Sequence, residues 1–319
     1  MRTVMAVDAG GTTTRAVLLD ESGHCLGVGR ASGGNPIALG PPVAMANVVS
    51  ALMEALSGPV GAGPELVLMT MAGASTSTDL AGEEAQLTAA GVTAPVEFEA
   101  DILSAWFSGT ASGDGTVLVV GTGAVAGVVS DGSLVRIVDG GGWLLGDTGS
   151  GFWIGREVVR AVAEHLDGRG PATALTEAVM ARVAEAPDRP GPGFNNASHR
   201  LLRHVYGAPP VTLATFAPLA LQAHDDAVAS GILARAAAEV ERTARVVVDP
   251  ASGDPIVLAG GLLCEGSPIT KHLVDAFGDR CVRVESGLTG AALLALRHLG
   301  VPSGEAELGR IRASLARIS

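Results

Sequence analysis

The sequence has few aromatic residues, few cysteines and no run of basic residues. Phe, Trp and Tyr make up 3% of its 319 residues, and the three cysteines (Cys25, Cys264 and Cys281) lie far apart without a Cys-x-x-Cys spacing. Scattered cysteines are typical of reduced thiols in a cytosolic protein.

No apolar stretch reaches the roughly 18 residues of a membrane span. The first predicted strand begins at about residue 3, which leaves no room for a signal peptide. We therefore expect a cytoplasmic protein without a membrane partner.

The charge balance argues against one class of partner. The formal net charge is −12, whereas a nucleic-acid-binding protein needs a basic face. A nucleotide substrate remains compatible with this acidity, because a triphosphate arrives with its own divalent cation. Hydrophobic residues make up 47% and charged residues 17% of the chain, which indicates a compact globular protein with room for two domains.

The order of predicted elements repeats once along the chain. "TVMAVDAG", "TRAVLLDE" and "CLGVGRASG" predict three adjacent strands, followed by alternating helices and strands. The stretch "GTVLVVGTGAVAGVVSDGSLVRIV" (115–138) predicts the same three-strand pattern again, which indicates an internal duplication. We expect an α/β fold of two similar lobes separated by a cleft. The expected boundaries are an N-terminal lobe at 1–110, a C-terminal lobe at 111–302 with a helical insertion at about 155–245, and a last helix in 303–319 that packs back on the first lobe.

One Pro-, Gly- and Asn-rich stretch stands out in the helical middle of the chain. "PDRPGPGFNNASHR" (187–200) predicts an irregular loop.

The first strand leads into a turn of glycines and hydroxyl residues. Asp8 ends the strand, and Gly10, Gly11, Thr12 and Thr13 follow. Glycines let backbone N–H groups face a ligand and threonine hydroxyls add donors, so the turn suits an anion. A neighbouring carboxylate makes sense if that anion is a phosphate with Mg²⁺. The alternative is a plain β-hairpin with a glycine turn.

A second turn and a later double glycine extend this pattern. "VVGTGAVAG" contains Gly121, Thr122 and Gly123, but it lacks the G-x-G-x-x-G spacing and continues into a strand instead of a helix. It therefore predicts a second phosphate hairpin and not a dinucleotide-binding turn. In "VLAGGLL", Gly260 and Gly261 follow a strand, where a base or ribose can lie close to bare backbone; a tight strand-to-helix turn is the alternative reading.

These three motifs, in this order, resemble those of the sugar kinase, heat-shock protein and actin superfamily. "GWLLGDTGSGFWIG" (142–155) is similar to a narrower block, the GDEGSGYWIG sequence of the BadF/BadG/BcrA/BcrD ATPase family, which includes N-acetylglucosamine kinases. The resemblance extends over nearly the whole chain. It implies two ribonuclease-H-like lobes, ATP and Mg²⁺, commonly a homodimer, and phosphorylation of an amino-sugar hydroxyl in the cleft between the lobes.

The resemblance also implies roles for individual residues. It implies that Asp101 is the catalytic aspartate and that Asp8 helps to hold Mg²⁺. The implied ATP contacts are Gly10, Gly11, Thr12, Thr13, Gly121, Thr122, Gly123, Ala124, Gly260 and Gly261. The implied sugar contacts, besides Asp101, are Asn35 of "GGNP" and Asp147 of the GDTGS block, with Gly140 as a further candidate. Ser75 and Thr76 of "GASTST" follow a predicted strand and are expected to line the same cleft.

Several of these residues also have structural explanations. Asp101 lies where a strand gives way to a helix, so it is placed to orient a sugar hydroxyl and take its proton, or to cap the helix. Asp147 is likewise expected to bind the sugar or to cap the helix that starts near Phe152. The hydroxyl-rich loop around Ser75 is equally an ordinary loop. The neighbouring Trp143 and Trp153 either wall the sugar pocket or simply pack.

The chain departs from the family pattern beside the expected sugar site. Thr148 stands where the family usually has Glu, and Asp139 and Gly141 also differ. These changes leave open which amino sugar is the substrate. If Asp139 points inward as an unpaired carboxylate, it suits the ammonium group of glucosamine.

We expect an ATP-dependent hexosamine kinase that acts on the 6-hydroxyl of N-acetylglucosamine, with glucosamine as the alternative sugar. Three other functions remain. An acyl-CoA dehydratase-activator ATPase requires an iron–sulfur cluster on cysteines that are scattered here. A non-catalytic sugar sensor usually contains an added DNA-binding domain, and an actin-like filament subunit has no need for Asp101.

Overall fold

The computed structural model describes residues 1–57, 63–71, 80–183 and 195–317. Two five-stranded sheets form its centre. The first sheet contains β1 (Thr3–Ala9), β2 (Thr13–Asp20), β3 (Cys25–Ser32), β4 (Val67–Met71) and β5 (Val96–Ala100). The second contains β6 (Gly115–Val120), β7 (Ala124–Ser130), β8 (Ser133–Asp139), β9 (Ile256–Ala259) and β10 (Cys281–Arg283).

The two sheets have the same topology. The strand order is β3-β2-β1-β4-β5 in one and, read from the other edge, β8-β7-β6-β9-β10 in the other. In each sheet the first three strands are antiparallel and the last two add in parallel. The duplicated three-strand pattern of the sequence thus corresponds to a duplicated sheet, and the expected α/β architecture is confirmed.

Helices cover both sheets, and most of them follow the third strand of the second sheet. The first half contains α1 (Pro36–Leu39), α2 (Pro41–Leu56), α3 (Leu80–Ala89) and α4 (Asp101–Gly109). The second half contains α5 (Gly142–Leu145), α6 (Gly151–Leu166), α7 (Leu175–Arg182), α8 (Asn196–Tyr206), α9 (Ala217–Gln222), α10 (Ala227–Val247), α11 (Pro268–Phe277), α12 (Leu288–His298) and α13 (Glu305–Leu315). Two short 3₁₀ helices lie at Pro210–Phe216 and Gly278–Arg280.

The prediction of an irregular loop at 187–200 is wrong for the last residues of that stretch. Helix α8 begins at Asn196, and the Asn195 side chain caps it by accepting a hydrogen bond from the Ser198 backbone N–H at 2.7 Å. Asparagine is a strong helix N-cap, so the Asn-rich end of the stretch starts a helix. The residues before Asn195 in this stretch lie outside the described part of the chain.

The two halves share a core in which helices α4 and α12 cross. A glycine makes the crossing close: a Cβ at Gly290 would lie 1.9 Å from the Ser104 carbonyl oxygen. The Gly290 N–H donates to the Ser108 hydroxyl at 2.8 Å. Apolar side chains of both sheets and of both helices pack around this crossing, so the crossing fixes how the two sheets face each other.

The last helix also contacts the first half of the chain. The Arg312 guanidinium donates to the carbonyl of Ser108 at 2.6 Å, and the Ser314 hydroxyl accepts the Cys25 backbone N–H at 2.8 Å. Within the described residues, no helix is both long and apolar enough to cross a membrane.

Candidate active site

The β1–β2 hairpin is closed by one backbone hydrogen bond and held from outside by a second. The Gly10 N–H donates to the Thr13 carbonyl at 3.1 Å, and the Gly34 N–H donates to the Gly10 carbonyl at 3.0 Å. Thr12 is exposed at the tip of the turn. The second bond brings the segment that contains Asn35 against the turn. The backbone carbonyl of Asn35, just before α1, accepts the N–H of Leu39, the last residue of that helix, at 3.1 Å.

The β6–β7 hairpin is built in a similar way. The Gly121 N–H donates to the Gly123 carbonyl at 2.9 Å, and Thr122 is exposed at the tip. The start of α6 holds this turn, since the N–H groups of Gly151 and Phe152 donate to the carbonyls of Gly121 and Thr122 at 2.8 and 3.0 Å. Each sheet therefore presents one short turn of glycine and threonine.

Gly260 and Gly261 lie at the carboxyl end of β9, beside the strand that leads into the second hairpin. Gly260 has a left-handed backbone (φ 97°), and a Cβ there would lie 2.4 Å from the Val120 carbonyl oxygen. That carbonyl accepts the Leu262 N–H at 3.1 Å. The left-handed backbone and the close Val120 carbonyl thus require a glycine at position 260.

One glycine in each motif has no such structural requirement. Gly11, Gly121 and Gly261 lie outside the left-handed region, and a Cβ at each would meet nothing within 4 Å. Neither packing nor backbone conformation explains why these positions lack a side chain. Their bare backbone suits a ligand that approaches closely.

The Asp8 side chain, near the end of β1, lies on the face of the first sheet that packs against helices α4 and α12, and it is buried. Its pKa is raised to about 6, chiefly by burial and next by the negative charge of Asp101. The guanidinium of Arg15, 4.0 Å from the carboxylate, and the N–H of Gly287 oppose this rise. The charge of Asp8 is therefore only partly compensated by the protein.

Asp101 is the first residue of α4, directly after β5. Burial raises its pKa, and the N–H of Ile102 opposes this rise by donating to the carboxylate. The N-cap position is Ala100, which makes no side-chain capping bond. The alternative reading of Asp101 as the N-cap is therefore wrong, and the carboxylate stands close enough to Asp8 to raise its pKa.

The sequence reasoning missed Arg15 and Gly287 beside Asp8. Arg15 pairs with Asp8 across the β1–β2 ladder, so the strand alternation after the turn contained the information needed to find it. Gly287 precedes α12, and a Cβ there would lie 2.9 Å from Asp8 Oδ1 and 2.7 Å from Ser104 Oγ. That contact joins residues nearly 280 positions apart, and local sequence gives no indication of it.

Asp147 lies against the second hairpin. Its Oδ1 accepts the Ala124 N–H at 2.9 Å. Burial raises the pKa of Asp147, this hydrogen bond lowers it, and the charge of Asp139 raises it further. Asp147 does not cap α6, because the hydroxyl of Ser150 accepts the Trp153 N–H there.

One of the departures from the family pattern, Asp139, has a structural explanation. Both oxygens of Asp139 accept backbone N–H groups, from Asp147 at 2.7 Å and Thr148 at 3.2 Å. Asp139 is thus not the unpaired carboxylate that the glucosamine idea required. Thr148 lines a cavity of about 10 Å³ with apolar residues of the second sheet and α10.

The remaining predicted sugar contacts are only partly located. Gly140 has a left-handed backbone (φ 72°) and donates its N–H to the Ala124 carbonyl at 3.0 Å. Ser75 and Thr76 lie outside the described residues. Trp143 is 44% exposed and packs against Phe152 with ring centroids 5.8 Å apart.

The chain is similar to known sugar kinases. It is 28% identical over 185 residues to glucosamine kinase GspK of Vibrio cholerae, an alignment that covers 56% of the chain but only 61% of that relative. Two solved structures share the fold, both of provisionally assigned N-acetylglucosamine kinases. The Chromobacterium violaceum protein has a TM-score of 0.71 and 23% identity, covering 92% of this chain and 99% of its own. The Porphyromonas gingivalis protein has a TM-score of 0.70 and 21% identity, covering 94% and 99%.

The family assignment follows from a match over most of the sequence. Residues 6–295 match the family described as the BadF/BadG/BcrA/BcrD ATPase family, and the solved structures share the two-sheet architecture. The expected actin-like ATPase fold is thereby confirmed. The chain belongs to the BadF/BadG/BcrA/BcrD ATPase family.

Proposed function

We propose that this protein is a cytoplasmic, ATP-dependent hexosamine kinase. The observation that supports it best is the pair Asp8, near the end of β1, and Asp101, directly after β5. The two carboxylates come from strands separated by β4, yet the charge of Asp101 raises the pKa of Asp8, in a fold that presents two glycine–threonine hairpins. Perturbed carboxylates in such a place are typical of a catalytic site.

The reaction joins a sugar hydroxyl oxygen to the γ-phosphorus of ATP and breaks the bond from that phosphorus to the β-phosphate oxygen. Asp101 orients the hydroxyl and accepts its proton. Its raised pKa favours this role, since a proton acceptor works best when its pKa is nearer the operating pH. ADP leaves with the electron pair of the broken bond.

The residues at Asp8 fit Mg²⁺. A buried carboxylate with incomplete charge compensation offers hard oxygen ligands. When bound with ATP, Mg²⁺ would neutralise charge on the phosphates. Asp8 would hold it, and Arg15 would add a second positive charge at the same place.

The hairpins around Gly10–Thr13 and Gly121–Ala124 are proposed to hold the phosphates from opposite lobes. Gly11 and Gly121 leave room for close approach of backbone N–H groups. Gly260 and Gly261 are proposed to face the adenosine.

Asn35, Gly140 and Asp147 are proposed to bind the sugar, with Ser75 and Thr76 as further candidates. We rank N-acetylglucosamine before glucosamine, because Asp139 is engaged by two backbone N–H groups and is not free to pair with an ammonium group. The curated relative, a glucosamine kinase, keeps glucosamine as the direct alternative. Position 6 is the proposed hydroxyl.

The proposal is tested by measuring ADP release with ATP and Mg²⁺ against glucosamine, N-acetylglucosamine, N-acetylmuramate, N-acetylmannosamine and glucose. One hexosamine should increase ADP release at least tenfold above the sugar-free rate. No increase with any sugar contradicts the kinase. In that case a brown protein with an iron absorption band would instead favour the acyl-CoA dehydratase-activator function.

We also propose a homodimer, which light scattering during size-exclusion chromatography checks directly.

A further inference from the structure

Among the described residues of the second lobe, three aspartates have left-handed backbones. Asp139, at the end of β8, has φ 64° and Asp147 has φ 58°. The third, Asp131 (φ 49°), lies in the exposed turn between β7 and β8. Residues other than glycine rarely adopt this conformation, and it often marks functional sites. Asp139 and Asp147 bracket the segment that follows β8.

The Asp139 carboxylate holds the far end of this segment. Its Oδ1 accepts the Asp147 N–H at 2.7 Å, and its Oδ2 accepts the Thr148 N–H at 3.2 Å. Gly146 permits this contact, because a Cβ there would lie 2.1 Å from Asp139 Oδ1. One side chain thus fixes the backbone of two consecutive residues.

The Asp147 side chain continues this connection to the second hairpin. Its Oδ1 accepts the Ala124 N–H at 2.9 Å, and Gly123 permits the approach, because a Cβ there would lie 2.7 Å from the same oxygen. Gly140, next to Asp139, donates to the Ala124 carbonyl at 3.0 Å. Both backbone polar groups of Ala124 are therefore held by the 139–147 segment.

We propose that Asp139 is a positioning residue that sets the geometry of the phosphate hairpin at 121–124 through Asp147. The proposal rests on the proposed function, which assigns that hairpin to the phosphates of ATP. Asp139 acts through hydrogen bonds to the backbone and touches no substrate itself. It also joins the proposed sugar-binding segment to the proposed phosphate-binding turn, so both move as one unit.

The test measures binding of ADP with Mg²⁺ by calorimetry, without sugar. Asp139→Gly keeps the left-handed backbone accessible but removes both acceptors. Asp139→Asn tolerates the same backbone and keeps one oxygen acceptor. Asp131→Gly is the matched control, since it relieves the same backbone conformation in an exposed turn.

We expect the dissociation constant of ADP to rise at least fivefold in Asp139→Gly, about twofold in Asp139→Asn, and less than twofold in Asp131→Gly. If Asp139→Gly does not fold, the graded comparison between Asp139→Asn and Asp131→Asn takes its place, with a ratio of about two expected. ADP binding in the Asp139 variants equal to that of the control overturns the proposal.

A double-mutant cycle distinguishes a relay from a general loss of structure. Once Asp147→Gly has removed the acceptor of the Ala124 N–H while keeping the left-handed backbone accessible, adding Asp139→Gly should change ADP binding by less than twofold. Fully additive effects overturn the relay. Because binding is measured without sugar, absence of kinase activity would contradict the proposed function and leave this test intact. If the protein is an active kinase but the Asp139 substitutions leave its ADP affinity unchanged, only this inference is contradicted.

Discussion

The two lobes share a strand order but differ in the residues at equivalent strand ends. Counted from the last pair of each hairpin, Ala9–Thr14 and Val120–Ala124, Asp8 corresponds to Val119. The first residue of α4 is Asp101, whereas α12, which occupies the same place after the fifth strand of its sheet, begins with Leu288. The duplication thus preserved the hairpins in both lobes, while acidic side chains stand at these positions only in the first.

The lobes also differ between their third and fourth strands. The first lobe has two described helices there, α1 and α2, whereas the second has α5 to α10. This longer connection contains the GDTGS block and the helix that holds the second hairpin. If the proposed function is right, the first lobe alone would supply the reacting carboxylates, whereas both lobes would supply contacts to the phosphates and the sugar.

Replacing Asp8, like replacing Asp101, should have a large effect on activity. We expect Asp8→Asn to lower kcat/KM about 100-fold or more, because the carboxylate that would hold Mg²⁺ is lost. The same change at Asp275, exposed on α11, is the control. Steady-state kinetics over a range of Mg²⁺ concentrations measure both, and wild-type kinetics in Asp8→Asn would contradict this division of roles between the lobes.

The same variant should be more stable than the wild type without Mg²⁺. The folded-state pKa of Asp8, about 6, lies above its ordinary value of 3.8. The folded protein therefore loses stability as the pH rises through 6, because the buried carboxyl becomes charged. We expect Asp8→Asn to raise the free energy of unfolding by about 1–2 kcal/mol at pH 7.5 and by nothing near pH 3.5. Denaturant melts in EDTA at both pH values check the sign.

A methyl group at the crossing of α4 and α12 tests how closely the lobes are joined. Gly290→Ala should lower the free energy of unfolding by about 1–3 kcal/mol, because the added Cβ overlaps the Ser104 carbonyl. Gly309→Ala, in α13 with open space around it, should instead stabilise by about 0.5–1 kcal/mol. Equal effects from the two variants would contradict the close crossing.

The two equivalent open glycines test whether both hairpins contact the nucleotide. Gly11→Ala and Gly121→Ala should each raise the KM for ATP about tenfold, since 1.4 kcal/mol corresponds to a factor of ten. Neither should lower the melting temperature, because a Cβ at either site meets nothing within 4 Å. An effect at Gly11 alone would restrict phosphate binding to the first lobe.

The smallest expected effect concerns a contact between the halves. The His298 ring of α12 lies between Glu97 and Glu99 of β5, with 3.5 Å from Nε2 to Glu99 Oε1. Hydrogen bonds to Glu99 and Glu97 raise the pKa of His298. Its stabilisation is therefore complete below pH 6.5 and is lost as pH rises through the higher folded-state pKa.

The His298 contact should contribute about 1 kcal/mol or less. The stability difference between wild type and His298→Gln should be larger at pH 6 than at pH 9. A difference that is constant with pH would show that charge plays no part.

The sequence was sufficient to predict the strands, the two hairpins and the position of Asp101. Strand alternation and glycine turns are local properties, so they could be read along the chain. The engagement of Asp139 could not be predicted, because it depends on left-handed backbones at Asp139 and Asp147. The contact of Gly287 with Asp8 depends on how α12 packs across the chain, and the cap at Asn195 was hidden in a stretch typical of loops.

The most direct test of the division between the lobes is the rate of phosphosugar formation by Asp101→Asn, measured beside its affinity for ADP with Mg²⁺. The account predicts a loss of 10²- to 10⁴-fold in kcat with ADP affinity within twofold of the wild type. An Asp101→Asn protein that forms phosphosugar at the wild-type rate would contradict it.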